Sequence, residues 1–338
     1  MTDTTRLPVA TVGGCDSGAG KIQQVAARVP PVRTDAESRQ RSGVFFAVGA
    51  YGLWGLFPGY FLLMAPAGGV EIVAWRILFS LVFCTILLTV TRKWPAFLAV
   101  LRRPRLVLAT GLAGALIYAN WQIYVLAVLD GKIVETALGY FINPIVTVLL
   151  GVFLLRERLR PLQWVAVGVS AIAIVVLAVG YGSIPWVALA LAMSFGLYGL
   201  LKKRAGVSVD ALTGLTLETL WLLPVASVIL VIVGSTTGIV FGTVSPGHTA
   251  VLLSAGVVTA VPLLLFASAA RRLSLVGLGL IQYLTPVLQF LFAVFIMHEE
   301  MPIERLIGFG LVWVALAILT WDLLAHGRAA RRALPLPA

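Results

Sequence analysis

The chain has 338 residues, of which 60% are hydrophobic and 12% charged, against about 25% charged in an ordinary soluble domain. With a mean hydropathy of +1.00 and apolar residues recurring in stretches of about twenty without a solvated face, a water-soluble globule is excluded and an all-α polytopic membrane protein is predicted. A net charge of +11 would point to nucleic acid in a soluble protein, so its meaning depends on where the basic residues fall.

Residues 1–40 hold Asp3, Lys21, Arg28, Pro30, Pro31, Asp35 and Glu37 among Gly, Ser and Thr, with too few apolar residues for a core; they read as a disordered cytoplasmic tail. The apolar run that follows exceeds the ~7–15 residues of a signal peptide's apolar region, so a retained first helix is expected. Ten spans are predicted: 43–64, 71–91, 106–129, 134–155, 161–180, 184–201, 211–234, 248–270, 273–297 and 304–325. Each is near the ~20 residues that cross about 30 Å of hydrocarbon. Links such as Asp130-Gly131-Lys132 and Tyr181-Gly182-Ser183 are short, which makes neighbouring helices antiparallel hairpins, and the longest loop, about 235–247, carries turn residues. A basic cytoplasmic tail, 326–338, closes the chain.

The 25 Lys and Arg residues sort by side. On the side of the N-terminal tail fall 22 of them, in the tails and in the clusters Arg92–Arg105, Arg156–Arg160, Lys202–Arg204 and Arg271–Arg272; only Lys132 and Arg305 lie in loops on the other side, and Arg76 lies within the second span. By the positive-inside rule both termini are cytoplasmic. The charge therefore reports topology in a lipid bilayer and predicts no nucleic-acid partner. Cys15 and Cys84 are far apart and His248, His298 and His326 are scattered, so no metal, no cofactor and no catalytic constellation is expected.

The two halves also repeat. Tyr51-Gly52-Leu53-Trp54-Gly55-Leu56 has a counterpart in Phe195-Gly196-Leu197-Tyr198-Gly199-Leu200, and Leu138, Pro144, Leu149, Val152, Phe153, Glu157 and Gly168 match Leu280, Pro286, Leu291, Val294, Phe295, Glu299 and Gly310 at one offset of 142. Each repeat (43–180 and 184–325) has five spans, an odd number, so the second enters the membrane from the opposite side. Inverted repeats characterise secondary transporters, whose halves exchange conformations around a central site. The competing readings are a membrane enzyme or a regulatory membrane protein on a duplicated scaffold; the first needs clustered polar groups at one membrane face and the second a folded soluble domain, and neither is visible.

The segments Ala50–Gly55, Glu71-Ile72-Val73-Ala74-Trp75-Arg76, Ala119-Asn120-Trp121, Ala137-Leu138-Gly139-Tyr140-Phe141-Ile142-Asn143-Pro144, Arg156-Glu157-Arg158-Leu159, Glu218–Val225, Thr259-Ala260-Val261-Pro262-Leu263 and Gln282-Tyr283-Leu284-Thr285-Pro286 resemble the RarD family of EamA-type transporters, in the drug/metabolite transporter superfamily. The likeness runs from about residue 40 to 325 and departs at Trp75, where the family usually has His, and in the first forty residues. It implies ten helices in two inverted five-helix repeats and an inner-membrane permease for a small molecule, a drug or metabolite exporter linked by the family's name to chloramphenicol sensitivity.

Ionisable groups within spans cost roughly 2.5–3.5 kcal/mol each and need a reason. Arg76 reads either as a binder of an anionic substrate group or of a carboxylate on another helix, or as half of a structural ion pair. Glu218, in the equivalent helix, could partner Arg76, carry a coupling proton, or face water. Glu135 opens the fourth span, where a carboxylate is favourable in itself and a coupling role is the alternative. Asn143-Pro144 and Thr285-Pro286 occupy matching points, where Pro144 and Pro286 predict kinks lining a pathway or tolerated for packing. Tyr51, Trp54, Asn120, Trp121, Tyr140, Asn143, Gln282, Tyr283 and Gln289 complete the expected substrate pathway.

Overall fold

The computed structural model describes residues 35–155, 159–205, 209–270, 272–273 and 281–332. Most of the predicted N-terminal tail, the Arg156-Glu157-Arg158 turn, Leu280 of the repeat and residues 333–338 lie outside them. The described residues are helical throughout, with no strand: α1 (Asp35–Gly55), α2 (Phe57–Leu62), α3 (Gly69–Val90), α4 (Trp94–Leu101), α5 (Pro104–Leu129), α6 (Ile133–Leu155), α7 (Pro161–Tyr181), α8 (Trp186–Ala205), α9 (Ala211–Thr236), α10 (Pro246–Ala270), α11 (Leu284–Leu291) and α12 (Ile303–Arg332).

Local chemistry sets these boundaries. Pro104, Pro161 and Pro246 open their helices, where the missing N–H would be unpaired anyway. Asp210 caps α9, Oδ1 accepting the Leu212 N–H at 3.0 Å while Oδ2 accepts the Thr213 hydroxyl at 2.7 Å. Six of the described helices are long and apolar enough to cross a bilayer, and Ile133–Val146, Trp186–Lys202 and Leu284–Ile296 are shorter apolar helices. On α7, Ile172, Val175 and Val179 point outward while Ala173 and Leu177 are buried, so the helix is apolar on both faces, as a lipid-exposed element must be.

Three elements differ from the predicted spans. The first span is two helices, because α1 ends at Gly55 and the chain turns into α2 with Pro58 in its first turn; α1 also begins at Asp35, with acidic residues at its start, before the expected apolar run. Between the second and third spans lies a short helix, α4, with Phe97 and Val100 buried and Trp94, Leu98 and Leu101 exposed. The ninth span breaks at Tyr283, passes into α11 and ends in a π-helical turn, Phe292–Ile296; Pro286 has no N–H for the Gln282 carbonyl. By contrast α6 runs through Pro144 as one helix.

Contacts divide the chain into residues 1–41 and residues 42–338. Within the latter the helices share a core that includes Ile72, Ile77, Leu138, Ile142, Leu191 and Phe309. α12 packs along α7, α6 along α8, α3 against α9 and α10, α5 against α8 and α9, and α11 against α6. Glycine is needed at several of these contacts. A Cβ at Gly114 of α5 would meet the Glu218 carbonyl of α9 at 3.1 Å, and one at Gly256 of α10 would run into the Phe79 carbonyl of α3.

Candidate functional site

Two buried charges mark the interior. Arg76, on α3, is 4% exposed. Its Nε donates to Thr259 Oγ1 of α10 at 2.7 Å, and its guanidinium lies over the rings of Trp121 (4.2 Å), Phe61 (5.3 Å) and Phe57 (5.4 Å). Ring faces attract a cation, by about 2 kcal/mol or more when water is excluded. Among the described residues no carboxylate comes within ion-pair distance of it.

Glu218, on α9, is 1% exposed and fully partnered: Oε1 accepts from Lys202 Nζ of α8, and Oε2 accepts from the Tyr198 hydroxyl at 3.1 Å. The pairing of Glu218 with Arg76 that the sequence allowed is therefore not made. Glu218 takes Lys202, near the C-terminal end of α8, as its partner instead. A cleft of about 30 Å³, lined by Thr110, Ala113, Lys202, Gly214 and Glu218 among others, touches the pair.

A row of aromatic rings runs between the two charges. Phe61 contacts Tyr124 (centroids 6.0 Å), Tyr124 contacts Tyr140 (5.8 Å), Tyr140 contacts Phe195 (5.9 Å) and Phe195 contacts Tyr198 (6.0 Å). Asn120 joins this row from α5: its Oδ1 accepts the Tyr140 hydroxyl at 3.3 Å, and its Nδ2 donates to Ser194 Oγ (3.0 Å) and the Leu191 carbonyl (3.2 Å). The structure thus brings Arg76, Trp121, Asn120, Tyr140 and Glu218 into one continuous set.

The remaining predicted residues form a second group between α1 and the ninth span. The Tyr51 and Trp54 rings contact each other and Phe266, while their carbonyls accept from the Thr285 hydroxyl (2.7 Å) and Gln289 Nε2 (3.1 Å). Tyr283 bonds the Thr320 side chain, Gln282 is half-buried, and Asn143 is buried beside Gly196. Trp75 points elsewhere: its Nε1 donates to Glu71 at 3.1 Å, and its ring packs on Phe79 and Phe241.

The bundle ends are held differently. At one end, carboxylates take backbone N–H groups. Glu71 accepts from Val240 (2.9 Å) and Phe241 (3.0 Å), Glu135 from Val187 (3.0 Å) and Glu299 from Val134 (3.0 Å). Burial raises the Glu299 carboxyl above the usual carboxylate range despite that N–H, with Glu135 adding to the rise. At the other end ion pairs join Lys93 to Asp210 (3.4 Å) and Arg160 to Asp322 (2.9 Å). Burial lifts the Asp210 carboxyl, but the Thr213 hydroxyl, Lys93 and two backbone N–H groups outweigh it and hold it low.

Sequence reasoning missed Thr259, Phe57, Phe61, Tyr124, Tyr198 and Lys202 as site residues. Thr259 lies in the Thr259-Ala260-Val261-Pro262-Leu263 motif and Tyr198 in the internal repeat, so both carry a signal; Lys202 reads in the sequence only as a topology charge.

Six long apolar helices packed around an aromatic-lined charged interior define a multi-pass membrane protein. The EamA-like transporter family matches residues 41–179. The chain is 45% identical to "Protein RarD" of Streptomyces exfoliatus over 88% of its own length and 93% of that protein, and 41% identical to an "Uncharacterized transporter" of Vibrio cholerae over 89% and 99%. It belongs to the RarD family of EamA-like transporters. A crystal structure at 19% identity superposes with a TM-score of 0.54, covering 85% of this chain and 98% of that one, a likeness of fold.

Proposed function

We propose that the chain is a secondary-active permease of the inner membrane that moves a small drug or metabolite by alternating access, its ten spans forming two inverted five-helix repeats with both termini cytoplasmic. The observation that carries this reading is the register of the buried charges: Glu218 stands 142 residues after Arg76, the same offset that relates the sequence repeats. Helix starts keep that offset, with α3, α5 and α7 beginning at Gly69, Pro104 and Pro161 and α9, α10 and α12 at Ala211, Pro246 and Ile303. So do the packing glycines Gly114 and Gly256. Exchanging the halves turns the α3–α10 contact into α9–α5 and leaves α3–α9 and α7–α12 unchanged, so the packing supports two related halves around one site.

In this reading the cargo passes along Arg76, Trp121, Asn120, Tyr140 and Asn143 and the Tyr51, Trp54, Gln282, Tyr283 and Gln289 group, with Pro144 and the break near Pro286 at matching points of the repeat. Glu218 is the coupling carboxylate: a proton on it weakens its hold on Lys202, beside a cleft that admits about one water. Glu135 is the poorer choice, because its oxygen holds the Val187 N–H. Purified protein in liposomes is expected to move members of a broad panel of drugs and metabolites under a proton gradient, and Glu218→Gln to uncouple that flux. A folded protein that moves none of them overturns the reading.

A further inference from the structure

The Arg76 guanidinium is a donor group without an acceptor of matching charge. Among the described residues only its Nε is bonded, to a neutral hydroxyl, and the planar fork of terminal N–H groups on the Nη side is the shape that binds a carboxylate bidentately. A second donor waits beside it. Among the described residues the Tyr124 hydroxyl is buried with no hydrogen-bond partner, its residue is 3% exposed, and its ring packs on Phe61, whose own ring lies against the Arg76 guanidinium. Ser80 Oγ, one helical turn beyond Arg76 on α3, is buried and likewise unbonded. Unmet donors in a low-dielectric interior are costly unless something arrives to meet them.

The carboxylates tell the complementary story, while the buried amide oxygens of Gln122 and Gln289, unbonded among the described residues, are neutral acceptors. Glu71 is occupied by Trp75, Val240 and Phe241, Glu135 by Val187, and Glu218 by Lys202 and Tyr198. One face of each of the Trp121, Phe57 and Phe61 rings already holds the Arg76 guanidinium, whose positive charge would repel an ammonium group brought beside it.

We infer that the cargo is a net organic monoanion: a carboxylate seated on the terminal nitrogens of Arg76 and the Tyr124 hydroxyl, carried on a compact apolar body and bearing no cationic group. This deepens the permease reading and rests on it for transport, though not for binding.

The test uses the full chain in nanodiscs with acetate, butyrate and phenylacetate as anions, phenylacetamide as the neutral isostere of the last, and phenylalanine as the zwitterion, followed by tryptophan fluorescence and by melting temperature. At least one carboxylate is expected to bind, with phenylacetamide and phenylalanine about tenfold to hundredfold weaker than phenylacetate. Arg76→Gln should lower phenylacetate to the level of the amide, and Arg76→Lys should fall between. Equal binding of phenylacetate and its amide by the unaltered chain, or no binding by any carboxylate, overturns the inference without depending on a variant that folds. In proteoliposomes, carboxylate binding without flux overturns the permease reading and keeps the anion site. Flux that prefers phenylalanine over phenylacetate keeps the permease and overturns the anion site.

Discussion

Arg76 and Glu218 stand at one offset, on helices that touch, and are both almost completely buried, yet their surroundings solve the problem of a buried charge in opposite ways. Around Glu218 the protein supplies everything: a lysine, a phenol and a wall of apolar residues from α3 and α9. Around Arg76 it supplies ring faces and one hydroxyl and stops short of a counter-charge. A charge completed by the chain serves the protein's own equilibrium between states; a charge left incomplete is available to something that comes and goes. On the proposed reading the difference separates a coupling element from a binding element, although both stand at one sequence offset of 142.

The sharpest way to break this comparison is to remove the partner of the completed charge. Lys202→Met should destabilise the protein by about 3 kcal/mol in thermal unfolding, at the low end for a buried pair because the lysine side chain is 36% exposed and partly screened. Adding Glu218→Gln should restore most of the loss; a neutral single variant would mean that Glu218 does not need its lysine. Next in size is the packing beneath both sites. Gly256→Val forces α10 away from the Phe79 carbonyl and should cost about 2 kcal/mol, and Gly114→Val, with more room at 3.1 Å, should cost less. Melting curves of the two variants side by side check that ranking.

Arg76→Met tests the incomplete charge. No opposite charge is stranded by its loss, and the desolvation cost it removes offsets the lost Thr259 bond and ring contacts, so stability should stay within about 1 kcal/mol while transport disappears; a large destabilisation would show that an unseen partner completes Arg76. The smallest effect belongs to the bundle end. Asp210→Ala loses a helix cap worth about 1 kcal/mol. Because the Asp210 carboxyl is held low in the folded state, its contribution is present above the ordinary carboxylate range near pH 4 and fades as pH falls below it. The acid limb of a stability–pH curve should therefore flatten in the variant.

The apolar runs and their turn residues made the helical membrane class and most of the spans legible, because a bilayer imposes length and hydropathy directly on the chain. Arg76 was legible as well, being a charge where charges are costly. Its surroundings were not: Thr259 lies 183 residues away, and no local pattern announces which hydroxyl a helix will present to a distant arginine. Lys202 was hidden for a different reason, since it stands beside Lys203 and Arg204 and reads as one more charge at a membrane edge. α4 escaped because eight apolar residues between basic clusters are too few to span.

The carboxylates that hold one end of the bundle bond to backbone N–H groups, and this gives that end a particular relation to ionic strength. Counter-ions weaken the exposed Lys93–Asp210 pair, whose side chains are 41% and 29% exposed, within a screening distance of about 10 Å at 0.1 M salt. The buried Glu71, with two backbone amides and an indole N–H as its ligands, offers no ionic partner for salt to compete with. Rising salt therefore weakens the Lys93–Asp210 link at one end of the bundle and leaves the Glu71 bonds at the other untouched.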